Sequence, residues 1–336
     1  IVFGDWSSDV CSSDLQPRAR VERPAWRSWL DLPGLIGMLR PFMEGEGGRA
    51  FFAGRGFSSM GALLSEAGLE GQGCVARSVL GCDGAPAGLF GLLQGAPLSD
   101  GELGVIPGDA TVAAAFRLDL ARAFQEFLAL LDALPPGFKE ELLGQWIPDL
   151  ERLLEVDLRK DLLEPLGDAW CLWSSPAQGG LVATGLSLCV PLREPDRFAG
   201  AFGRAMGVLK KRSDERRLRE DGSSRDGVWL DSFEFRGRTI WFLESVGEEL
   251  PVAPAWCVDW GRLLAALFPQ MIKAELARPT APAASLATHP ILRKRGESFA
   301  VAFLDLREIA RLGWPLLTIG AQLLCDELQE DRKSVV

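Results

Sequence analysis

The chain has 336 residues, with 46 acidic against 36 basic side chains and a formal net charge of −10. That balance makes it soluble and self-repelling, and argues against a surface that coats nucleic acid or an anionic membrane. It has no Tyr, no Asn and a single His, His289; since general acid–base work falls most often to His, only carboxylates, Lys, Cys and Ser remain for catalysis.

In chain order, the first stretch to interpret is Asp5 to Leu15, DWSSDVCSSDL. It reads codon by codon as a translated short-read sequencing adapter, and Asp331 to Val336, DRKSVV, reads as the matching one. The expectation is that residues 1–15 and 331–336 are adapter-derived and have no packed role. The remainder, from about Gln16 to about Glu330, is then an internal fragment of a longer reading frame. Removing Asp5, Asp9, Asp14 and Asp331 with Arg332 and Lys333 leaves 42 acidic and 34 basic residues, a net charge of −8. A length of this order exceeds what one compact domain uses, so two or more modules are expected.

Residues Trp26 to Met43 show helical spacing at Trp29, Leu32, Ile36 and Leu39 and end before the Gly-rich EGEGG, which predicts one helix and a loop. Ser59 to Ala67 reads as a second short helix stopped by Gly68. Strands are predicted over Cys74 to Leu80 and Gly88 to Leu93, separated by GCDGAPA. Together, 16–104 read as the C-terminal part of a first α+β module.

A complete module follows over 105–290. TVAAAFRLD predicts a strand, and LARAFQEFLALLDAL a helix with Leu120, Phe124, Phe127, Leu128 and Leu131 on one face and Asp119 as N-cap. Phe138 to Leu154 and Asp157 to Leu166 read as further amphipathic helix, broken near Pro148. Leu166 to Leu192 carries two apolar runs around Pro176, Gly179 and Gly180 and reads as a buried hairpin at the centre of a sheet. Pro195 opens a helix lined by Phe198, Phe202, Met206 and Leu209. The charge-balanced KKRSDERRLREDGSSRDG then reads as a solvated helix end and loop. Its DGSSRDG lacks the spacing of a calcium loop.

Val228 to Phe235 and Arg238 to Ser245 form a hairpin about Arg236 and Gly237. That register puts Trp229, Phe233, Phe235, Ile240 and Phe242 toward the core, and Leu230, Trp241 and Leu243 on an opposite apolar patch. A second hairpin joins Ala255 to Val258 and Leu263 to Leu267 through DWGR. Pro269 opens the helix PQMIKAELA, and Arg278 to Ala287 reads as a linker with His289 exposed beyond it. Short connectors require antiparallel neighbours, so the fold class is α+β: a mainly antiparallel sheet with helices on one face, in repeated strand–helix modules.

An internal repeat supports the modular reading. A shift of 186 residues aligns Ala115 to Leu131 with Val301 to Leu317, matching Leu118, Asp119 and Leu120 with Leu304, Asp305 and Leu306. Glu308 makes a predicted capping box with Asp305. Residues 291–330 then read as the start of a third module.

Six cysteines outside the adapter segments, Cys74, Cys82, Cys171, Cys189, Cys257 and Cys325, form no C-x-x-C pair and read mostly as small buried hydrophobes. Cys74 and Cys82, roughly 25 Å apart if extended, are too far apart to bridge. No apolar run reaches membrane-spanning length. Nucleotide-phosphate, zinc-protease and nucleophile-elbow motifs are absent. No catalytic, cofactor-binding or metal-ligating residue is assigned.

Taken together, VIPGDATVAAAFRLDLA, LGDAWCLWSSPAQGGLVATGL and PAWCVDWGRLLAALFPQ resemble the modules of a bacterial family of exported proteins, the domain of unknown function numbered thirty-three fifty-two. The resemblance spans roughly Leu103 to Leu317 and rests on turns and strand edges. It implies export to the periplasm or envelope, a modular α+β fold, and no known activity or cofactor. The expected function is a non-catalytic exported or envelope-associated protein that binds a protein or polymer partner or acts as a scaffold. One alternative is a carboxylate-dependent hydrolase using Asp157 and Asp161, one helical turn apart; neighbouring Arg159 and Lys160 favour a salt-bridged face instead. The other is a carbohydrate-binding module using exposed Trp, for which Trp170 and Trp173 point to opposite faces of their strand and cannot form one platform.

Overall fold

The computed structural model describes residues 2–4, 21–39, 60–70, 73–82, 91–92, 95–131, 142–179, 185–219, 227–246, 252–278, 285–290, 292, 298–315, 318 and 322. Two antiparallel sheets organise them, with helices against the larger one, so the fold is α+β.

The smaller sheet takes β2 (Arg23–Asp31), β3 (Met60–Glu70) and β4 (Gly73–Cys82) in that order. The helix expected over Trp26 to Met43 begins only at Leu32. Helix α1 (Leu32–Leu39) is preceded by Asp31, whose carboxylate accepts from the Gly34 N–H at 3.2 Å. Of the run Ser59 to Ala67, expected helical, Met60 to Ala67 is strand instead. Short apolar runs fit either period, and here pairing decides: Gly68 lets the backbone of Arg23 and Pro24 pass where a Cβ would collide. The described residues of Gly88 to Leu93 contribute no strand.

The larger sheet begins with β1 (Val2–Gly4). Next in chain order are α2 (Asp100–Leu103), β5 (Val112–Arg117), α3 (Leu120–Leu131), α4 (Ile147–Leu154), β6 (Ala169–Ser174), β7 (Leu186–Pro191) and α5 (Pro195–Arg219). The chain continues with β8 (Gly227–Phe235), β9 (Arg238–Val246), β10 (Ala255–Asp259), β11 (Arg262–Ala266), α6 (Pro269–Ala277), β12 (Ser298–Leu304) and α7 (306–315). Strand order is β1-β12-β5-β6-β7-β11-β10-β9-β8, antiparallel throughout, with the β6–β7 hairpin at the centre as its composition requires. Both two-residue turns, Arg236-Gly237 and Trp260-Gly261, have positive φ at each position, the geometry that matches strand twist.

Four local expectations are corrected, at Val2–Gly4, at Pro148, in the 278–287 linker and at His289. Val2–Gly4 is not idle: it pairs with β12 at the sheet edge. Residues 331–336 lie outside the described residues. The segment read as opening a third module supplies β12, a strand of this same sheet. Pro148 does not break its helix, because it sits in the first turn of α4, where its missing N–H costs nothing; the break comes at Glu155, at φ 57°. Likewise the expected linker packs, since Leu286 is buried, and His289 is half-buried with its ring edge on Phe303 at 4.9 Å.

Residues directly opposite one another run across the sheet as Val301, Ala115, Cys171, Cys189, Leu264 and Cys257. This face packs against Leu103, Leu286 and α6. The other face, with Trp170, Leu188, Val190, Val258 and Leu263, is covered by α3 and α5 through Leu120, Phe198 and Phe202 and by the short turn Leu158–Leu163 through Leu162. The long helices do share one face, but α2 and α6 cover the other. The patch at Leu230, Trp241 and Leu243, expected to be either solvated or packed against a neighbouring module, is partly covered, with Trp241 and Leu243 half-buried. Leu230 is buried, and Trp241 pairs with Trp256, whose indole N–H donates to Met206 Sδ of α5 at 3.1 Å.

Candidate functional site

Asp157 and Asp161 are brought together, but both are already engaged. Asp157 caps the π-helical turn Leu158–Leu163: its carboxylate accepts from the Lys160 N–H at 2.7 Å and pairs with the Lys160 ammonium at 3.1 Å. The backbone hydrogen bond, more than the charge of Lys160, holds the Asp157 carboxyl below the usual carboxylate range. Asp161 accepts from the Asp157 N–H and from Arg197. Asp157 is thus held ionised by local donors, whereas a glycosidic acid needs a raised pKa. Trp170 and Trp173 lie on opposite faces, as their odd spacing requires. Trp170 donates to Leu118 O at 2.9 Å, and Trp173 is buried and donates to Gln178 Oε1 at 2.8 Å.

The most organised polar assembly lies at the β10–β11 turn. Asp259 and Arg262 stand directly opposite each other, closing the two-residue turn. The buried Asp259 carboxylate accepts from Arg238 Nε at 2.9 Å and Arg262 Nη2 at 3.2 Å. Arg262 continues to the buried Glu275 at 3.1 Å, which also pairs with Arg278 at 3.1 Å and accepts from Gln178 Nε2 at 2.9 Å. Three guanidinium groups thus surround two carboxylates, leaving a local positive excess on an acidic chain. Losing either carboxylate would leave half-buried guanidinium groups without their buried partner. Beside Glu275 a cavity of about 10 Å³, lined by Trp173, Ser187, Leu264 and Met271, has room for about one water. The buried Ser187 hydroxyl has no hydrogen-bond partner.

At the outer end of this network stands Trp260, 86% exposed. Its φ of 42° is a left-handed conformation that a bulky residue adopts only under constraint. Gly261 follows at φ 82°, and its carbonyl accepts from the Leu192 N–H at 2.7 Å, fixing the turn to the start of α5. The Arg238 guanidinium lies 4.3 Å from the Trp260 ring centroid. Buried Asp259 therefore holds Arg238, and Arg238 backs an indole whose surface is mostly open to solvent.

Sequence reasoning placed DWGR in a turn but did not single out Trp260. The usable signal was opposite charges flanking a two-residue turn; the contacts to Arg238 and Glu275 are long-range and carry no sequence signature. Among the described residues, no group of three or more His, Cys, Asp or Glu is arranged to hold a metal ion, and no helix is long and apolar enough to cross a membrane. Comparison with family models, curated proteins and solved structures finds nothing that matches this chain.

Proposed function

We propose that this chain is a non-catalytic, exported or envelope-associated modular protein that binds a protein or polymer partner. The observation that carries this reading is Trp260: an exposed indole held in a strained turn and backed by an arginine that a buried carboxylate fixes in place. Backbone strain of this kind costs about 1–3 kcal/mol and persists where the surroundings over-determine it, most often at binding sites. A rigid aromatic surface gives contact area with little entropy to lose. The acidic charge of the chain disfavours nucleic acid as the partner. The carbohydrate-binding alternative moves from Trp170 and Trp173 to Trp260, whose open ring face suits stacking on a sugar. The hydrolase alternative would rest on Asp157 and Asp161.

Co-sedimentation with purified bacterial cell-wall sacculi, and glycan-array binding, test the reading. The wild-type chain is expected to be retained on one of these polymers. Trp260→Ala should lose that retention at an unchanged melting temperature. Release of chromophore from a glycoside, abolished by Asp161→Asn but indifferent to Trp260→Ala, would instead establish the hydrolase.

A further inference from the structure

Cys171 on β6 and Cys189 on β7 are directly opposite partners in the central hairpin, on one face, both buried in one core cluster. Opposite residues of an antiparallel pair have Cα atoms about 4.5 or 5.5 Å apart, and both values fall within the range a disulfide spans. In the structure both are free thiols; Cys171 donates to Glu102 O at 3.6 Å. Cys257 lies on the same transverse row, but Leu264 stands between it and Cys189. The geometry therefore offers Cys189 one thiol neighbour along the row.

We infer that Cys171 and Cys189 form a cross-strand disulfide when the chain folds in the presence of a disulfide oxidant. With glutathione disulfide, one cysteine thiolate attacks a glutathione sulfur and displaces glutathione thiolate. The second cysteine then attacks the mixed disulfide at the protein sulfur and displaces another. The two protein thiols lose two electrons and two protons, and one glutathione disulfide becomes two glutathione thiols. Timing follows from burial, which, with the neighbouring Cys189, pushes the Cys171 thiol up to about 12, and pushes Cys189 up to about 11. Once the sheet is covered, the attacking thiolate is scarce, so the bond forms before closure. The hairpin is local and its ends meet at low entropic cost, which favours early pairing.

The test is to refold the whole reduced chain in glutathione buffer and, in parallel, under excess dithiothreitol, then alkylate and map peptides. The expected result is a linked Cys171–Cys189 peptide, two hydrogens lighter, in the first sample only. That sample should also melt several degrees higher. Native-like refolded protein in which both cysteines remain open to alkylation, or in which Cys189 is linked to Cys257, would overturn the inference. Cys189→Ser should abolish the linked peptide; if that variant does not fold, the wild-type map alone decides.

Discussion

Three buried thiols on one face of the sheet make the reduced chain sensitive to alkali. Burial pushes Cys171 and Cys257 up to about 12 and Cys189 to about 11. Their unfolded value is about 8.5, so the neutral thiol is favoured by folding, and the folded-state pKa is the higher one. The resulting stability is complete below about pH 8.5 and is lost as pH rises toward the folded values. With no Tyr in the chain, thiols and lysines are the side chains that titrate over this window. Under dithiothreitol, the melting temperature of wild type should therefore fall more steeply between about pH 8 and 10.5 than that of Cys257→Ala. Equal slopes would show that the Cys257 thiol is solvated rather than buried. Trp260 is the other residue whose behaviour follows from its immediate setting, since its left-handed φ is imposed by the turn and not by its own preference.

At the scale of elements, the two aligned segments are alike at their helix starts. Asp119 accepts from the Arg122 N–H at 3.0 Å before α3, and Asp305 accepts from the Glu308 N–H at 3.0 Å before α7. The predicted capping box at Asp305 is only half formed, because its own N–H donates to Thr111 O and Glu308 pairs with Arg311. Burial works to raise the Asp119 carboxyl, but the Arg122 N–H and the Arg193 guanidinium outweigh it and hold it below the usual range. Asp119→Ala and Asp305→Ala should each cost about 1 kcal/mol in chemical denaturation. A near-zero loss at both would mean the helix starts are held by packing rather than by their caps. Elements with a hairpin turn or a capped start were legible in the sequence, since turn chemistry and cap residues act over a few positions. Met60 to Ala67 and Trp26 to Asp31 were not: they pair with each other, and a partner that distant in the chain leaves no local signature. The candidate site was legible only as a turn, because its indole, guanidinium and carboxylates come from three separate elements.

For the whole molecule, the informative contact is where the two segments aligned by the shift of 186 residues meet. Val301 pairs with Ala115, its own equivalent under the shift of 186 residues, and Ala300 pairs with Phe116 while Ala302 pairs with Ala114. The two aligned segments therefore face each other about a local pseudo-twofold axis through that pair, an isologous arrangement inside one chain. A joint of this symmetry can form between two molecules as readily as within one. Ending the chain at Pro290 removes β12 and leaves β5 as an unpaired edge, with its backbone donors and acceptors open to another strand. The expected outcome is a dimer in which β5 pairs with β5 in the same register, Ala115 opposite Ala115. Sedimentation at several concentrations should show the shortened chain dimeric and the full chain monomeric. Register gives the sharper test. In the shortened chain, Ala115→Cys should be trapped as a covalent dimer by mild oxidation, whereas Val112→Cys, displaced from the axis, should cross-link poorly. A shortened chain that stays monomeric at all concentrations, or that cross-links equally well at both positions, would show that the pairing of β5 with β12 owes nothing to the repeat.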